Sequence, residues 1–90
     1  MVREKVKPLG SPDEASSIKN ELILFNDEVN SFDYVIETLM DICEHEQSQA
    51  EQCALIAHYN GKCPVRSGAF SELKPMHDGM SSRGLTVSIE

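Results

Sequence analysis

The chain is 90 residues long, with 15 acidic and 8 basic side chains and a net charge of −7. That length holds one small domain, and so acidic a surface repels phosphate, which argues against nucleic-acid partners and for cations or basic partner surfaces. The longest apolar run, Cys53–Ala57, is far short of membrane length, so no membrane partner is expected either.

The charge is unevenly spread. Residues 1–19 carry a net +1, while Asn20–Gly61 contains nine Asp and Glu and no Lys or Arg. The first nineteen residues are polar, are broken by Pro8, Gly10 and Pro12, and show no apolar period. They read as a disordered N-terminal arm, with the folded domain spanning residues 20–90. Met1–Gly10 lacks an apolar signal core and the cysteines, Cys43, Cys53 and Cys63, are odd in number. Both features point to a cytoplasmic protein with reduced thiols.

The near-continuous apolar run within Glu21–Asn26 predicts a short strand buried on both faces. It runs directly into Asn26-Asp27-Glu28, which sets amide and carboxylate acceptors at the rim of the core, a chemistry suited to a small cation. Asn-Asp is also ordinary turn chemistry at a strand end. A helix follows. Asn30 or Ser31 suits its N-cap, and Phe32, Val35, Ile36, Leu39, Met40 and Cys43 recur at helical period opposite Asp33, Glu37, Asp41 and Glu44. Glu44–Gln47 is too polar to continue it and predicts a turn.

A second helix is expected over Gln47–Tyr59, with Ala50, Cys53, Ala54 and Ala57 on one face and Asn60-Gly61 as its stop. Lys62–Arg66 reads as a strand, placed at a sheet edge because Pro64 has no N–H to donate. A third helix over Ser71–Arg83 is weakened by Pro75 and Gly79, with Pro75 best accommodated in its first turn. Leu85, Val87 and Ile89 alternate with polar residues, as in a half-buried strand. The resulting class is α+β: a small three-stranded antiparallel sheet with three helices packed on one face, in the order β-α-α-β-α-β.

The string Leu22–Asp27, the Phe-centred helix after it, and Ala57-His58-Tyr59-Asn60-Gly61-Lys62 closing the second helix together resemble the ClpS-type adaptors of the N-degron pathway. The resemblance covers residues 20–90. It implies a non-catalytic adaptor. Such a protein binds the free α-amino group and bulky hydrophobic first side chain of N-degron substrates, then docks on the N-terminal domain of a Clp AAA+ unfoldase. By the same resemblance Asn26, Asp27 and His58 surround the α-ammonium group. Phe32, Val35, Ala54, Ala57 and Leu85 line the side-chain pocket, and Glu28 and Asn30 lie near the peptide backbone. Ala54 and Ala57 stand where relatives carry bulkier Met and Val, Glu28 is longer than the usual Asp, and the segment Phe70–Gly84 is shorter than in relatives. A truncated or irregular third helix follows from that last departure.

Other readings are weaker. A His in the last turn of a helix is favoured by the helix dipole without any ligand. Three cysteines ten residues apart match no zinc spacing, so neither metal nor cofactor is expected. A cysteine hydrolase made of Cys63, His58 and Asp27 would need a nucleophile held against its base, which nothing in the sequence arranges. The nearest alternative is a non-catalytic interaction module like the ribosomal-stalk C-terminal domain, which shares the element order but lacks the Asn-Asp and His residues.

Overall fold

Leu22, Ile23 and Leu24 are all buried, and the strand that carries them, β1 (Asn20–Phe25), is the middle strand of the sheet. Strand alternation turns Leu22 and Leu24 into the main core and Ile23 to the opposite side, where it is 4% exposed. Burial on both faces explains why the run is continuous rather than alternating. The computed structural model describes residues 19–90, so the expected arm, but for Lys19, lies outside the described residues.

Helix α1 (Phe32–Ile42) follows β1, then α2 (Gln47–Asn60), β2 (Lys62–Gly68), α3 (Phe70–Ser82) and β3 (Val87–Ile89). The strand order is β2-β1-β3, with β1 antiparallel to both neighbours. Pro64 therefore sits on an edge strand, as its missing N–H requires. The pairing passes from Leu22↔Arg66 to Ile23↔Pro64, leaving Val65 as a bulge. The carbonyl of that bulge accepts the Nε2–H of His45 at 2.7 Å.

Ser31 caps α1, its Oγ accepting the Tyr34 N–H at 3.1 Å. The apolar stripe of α1 is narrower than its sequence period suggests. Leu39 and Cys43 are fully buried, with Val35, Ile36 and Ile42 packed against them, whereas Phe32 and Met40 on its flank are 43% and 38% exposed. Thr38 takes an inward position instead, which it tolerates because its hydroxyl donates to the Tyr34 carbonyl at 2.8 Å. The helix ends through Glu44, at φ 59°, with the His45 N–H returning to the Leu39 carbonyl at 3.3 Å. This left-handed turn swings His45 inward, so the polar segment expected to be a turn carries a buried imidazole.

Ala50, Ala54 and Ala57 are the buried face of α2. Gly61 closes the helix at φ 94°, its N–H reaching the Ala57 carbonyl at 2.9 Å. α3 begins with half of a capping box: the Glu72 carboxylate accepts the Ala69 N–H at 3.2 Å, and Ala69 has no oxygen to return the bond. Contrary to expectation, Pro75 lies in the second turn, and the helix runs unbroken past it. Leu73 and Met80, both buried, anchor it on either side of the proline. Leu85 precedes β3 rather than joining it, because its N–H is used by the Met80 carbonyl at 3.1 Å. α1, α2 and α3 contribute Leu39, Ala57, Leu73 and Met80 to the one core that Leu22 and Leu24 enter from the sheet.

Two stability measurements test this account. Leu39→Ala removes a fully buried side chain and should cost about 2–5 kcal/mol in urea unfolding. Gly61→Ala meets no atom within 4 Å, so its expected loss of about 1–2 kcal/mol is purely that of a left-handed alanine. A neutral result at Gly61 would show that the α2–β2 turn readily relaxes.

Candidate functional site

The end of β1 is held from both sides. The Phe25 N–H bonds to the Thr86 carbonyl at 2.9 Å, and the Asn26 N–H bonds to the Gly61 carbonyl at 2.9 Å. The second bond brings the end of the strand beside the end of α2, and so places Asn26 near His58. Between them lies a cavity of about 240 Å³, lined by Leu24, Phe25, Asn26, Asp27, Glu28, Asn30, Phe32, Val35, Ala54, Ala57 and His58. At that size it suits a single side chain with its attached amine rather than a drug-sized ligand.

The polar end is organised by Asp27. Its Oδ1 accepts the backbone N–H groups of Val29 at 3.0 Å and Asn30 at 2.9 Å. The Asn30 amide lies 3.2 and 3.1 Å from the two carboxylate oxygens, and the same Nδ2 donates to the Gly84 carbonyl at 3.0 Å. Partial burial opposes ionisation of Asp27, but the donors of Asn30 and Val29 outweigh it and hold the carboxyl below its ordinary range. Neither Asp27 nor Glu28 pairs with a cation among the described residues. The Tyr34 hydroxyl adds a tie from α1 to the Arg83 carbonyl at 2.8 Å, so the loop after β1 and the end of α3 are braced together. His58 is exposed, with its ring edge-on to Tyr59 at a centroid distance of 5.0 Å.

The apolar end is made by Phe32 and Val35 of α1, Ala54 and Ala57 of α2, and Leu24 and Phe25 of β1. The structure thus brings together Asn26, Asp27, His58, Glu28, Asn30, Phe32, Val35, Ala54 and Ala57 around one space. It does not bring Leu85 there. Leu85 is 4% exposed and packs in the core, because its backbone is drawn back to the end of α3. Asn30 also acts as a brace, its Nδ2 lying between the Asp27 carboxylate and the Gly84 carbonyl. Leu24 and Phe25 also line the space, as their place next to Asn26 in the chain allows.

The arrangement offers acceptors and negative charge at one end and hydrocarbon at the other. It is unsuited to thiol chemistry: burial pushes the Cys63 thiol up to about 12 and Cys43 up to about 11, and the Cys63 Sγ donates to the Pro64 carbonyl at 3.4 Å. Among the described residues no three His, Cys, Asp or Glu side chains group as a metal-binding set, and no helix is long and apolar enough to cross a membrane.

Residues 16–88 match the family model described as ATP-dependent Clp protease adaptor protein ClpS. The ClpS adapter proteins of Campylobacter jejuni, from strains 81-176 and RM1221 among others, are 44% identical over 41 residues. That alignment spans 46% of this chain and 43% of those relatives, less than half of their length. The structure of Agrobacterium tumefaciens ClpS2 bound to L-phenylalaninamide superposes with a TM-score of 0.68 at 18% identity, over 80% of this chain and 94% of that one, which is a likeness of fold. With more than three quarters of its residues inside the family match, the chain belongs to the ClpS family of Clp protease adaptors.

Proposed function

We propose that this chain is an N-degron adaptor. It binds the free α-amino group and the bulky hydrophobic first side chain of a substrate, and hands the substrate to a Clp AAA+ unfoldase through that enzyme's N-terminal domain. The observation that carries the reading is a single small cavity with Asn26, Asp27 and His58 at one end and Phe32, Val35, Ala54 and Ala57 at the other. An α-ammonium has three N–H donors, and the Asn26 oxygen, a remaining Asp27 lone pair and a His58 ring nitrogen are three acceptors of suitable kind. L-phenylalaninamide, the ligand of the Agrobacterium ClpS2 structure, joins an ammonium to a phenyl group, the two chemistries this cavity pairs. Glu28 stands at the rim, exposed, where it can face the peptide backbone. An interaction module of the ribosomal-stalk kind has no use for such a cavity.

Acetylating the amino group of a Phe- or Leu-initiated peptide removes its charge and two of its donors. Affinity should fall at least ~100-fold, about 2.7 kcal/mol, by fluorescence anisotropy. Equal affinity for free and acetylated peptides would overturn the reading. The pH profile tests the charges on both partners. Asp27 is held below its ordinary 3.8, so it stays ionised from pH 5 to 9; its contribution, present above that value, is lost only as pH falls through the lowered one. Peptide amines lose their proton above ~8, which should weaken binding on the alkaline side. His58→Ala removes one acceptor and should weaken binding of the free peptide while leaving the acetylated one little changed, as titrations of the two proteins would show.

Ala54 makes a second prediction. It is 4% exposed and lines the cavity, so a longer side chain there must grow into the ligand's space. Ala54→Met should shift the preference among peptides starting with Phe, Leu, Trp, Ile and Val towards the smaller ones. An unchanged ranking would show that Phe32 or Val35, not Ala54, limits the pocket.

A further inference from the structure

A second concavity, of about 520 Å³, lies between α1 and α2 and shares Phe32 with the pocket. Of its apolar residues, Phe32 and Leu55 are 43% and 47% exposed, and Ile36 between them is partly buried. Asp33 from one helix and Glu51 from the other flank them. Neither acid forms an ion pair among the described residues; Glu51 receives only the side-chain N–H of Gln47, at 3.0 Å. An exposed apolar strip between two carboxylates that pair with no cation among the described residues fits a segment that mixes aliphatic and cationic side chains.

The chain itself contains such a segment. Val2, Val6 and Leu9 are interleaved with Arg3, Lys5 and Lys7, while Asn20–Gly61 has no Lys or Arg. Ten residues lie between Leu9 and the start of β1 at Asn20, a tether that reaches about 35 Å when extended. We infer that Val2–Leu9 docks in the α1–α2 groove of its own chain, its cations against Asp33 and Glu51 and its aliphatic side chains on Phe32, Ile36 and Leu55. Exposed ion pairs are individually weak and are screened by salt. The tether supplies what they lack, by turning the encounter into an intramolecular one at high effective concentration. A basic partner surface that uses the same acidic groove has to displace the segment first.

The test is methyl NMR of the full chain, following Ile36 and Leu55 at low salt and at about 0.5 M, where screening reaches within a few Å. The intact chain should show a salt-dependent shift at both methyl groups that does not change on dilution. That shift should vanish in R3E/K5E/K7E and in D33K/E51K, and return when the two sets are combined, which a mere loss of folding in either variant does not predict. Methyl groups indifferent to reversal of the segment would overturn the inference. So would a shift that grows with protein concentration, because it would place a second copy's segment in the groove. None of these readings depends on peptide binding, so this inference and the adaptor proposal stand or fall separately.

Discussion

The hydrogen bond from the Asn26 N–H to the Gly61 carbonyl is the constraint on which the site depends. It forms only if α2 stops at Gly61, and α2 stops there because a glycine can take φ 94° while its N–H is held by Ala57. Two stretches more than thirty residues apart are thereby set side by side, one ending in acceptors and the other in an imidazole. The buried run Leu22–Leu24 fixes the depth of that junction, since sliding β1 by one residue would turn Leu22 and Leu24 out of the core. Core packing and site geometry are in this sense one property of the same strand.

Local bonds both orient the Asp27 carboxylate and favour its ionised form. Two backbone N–H groups and the Asn30 amide orient it and favour its charged form, and Asn30 is itself fixed by the Gly84 carbonyl. Because Gly84 follows α3, the third helix takes part in positioning the acceptor without lining the cavity. The expected truncation is not seen, since the helix runs unbroken for 13 residues. What α3 must supply is a chain end in the right place, and Met80, fully buried, together with the Tyr34–Arg83 bond supplies it.

Much of this was legible in the residues. The apolar run of β1, the period of α1, the Asn60-Gly61 stop and the edge position forced by Pro64 each follow from a local rule, and the α+β element order follows from them. Features that depend on distant partners were not legible. His45 lies in a polar stretch, and only the left-handed Glu44 and the bulge carbonyl of Val65 explain its burial. Thr38 and Met40 exchange the places that a simple stripe gives them, because a hydroxyl that bonds back to its own helix can be buried and a flexible thioether can be left out. Leu85 is assigned to the pocket by resemblance and to the core by the structure. The bond from its N–H to the Met80 carbonyl at the end of α3 draws it into the core.

The small residues of α2 carry two demands at once. Ala50, Ala54 and Ala57 let the helix approach the core closely, and two of them also form the cavity wall. A helix whose buried face is alanine gains little from burial, since each extra buried methylene is worth ~0.8 kcal/mol and alanine has none to offer. α2 is therefore held chiefly by its ends and neighbours: the Gly61 cap, Ile56 and Cys53 packed on the core, and the Asn26 bond. The space that larger side chains would have filled remains open beside Asn26 and Asp27, and that is where the pocket lies. An opening in the hydrophobic layer, rather than any unusual residue, sets a small cavity against the polar end of an ordinary buried strand.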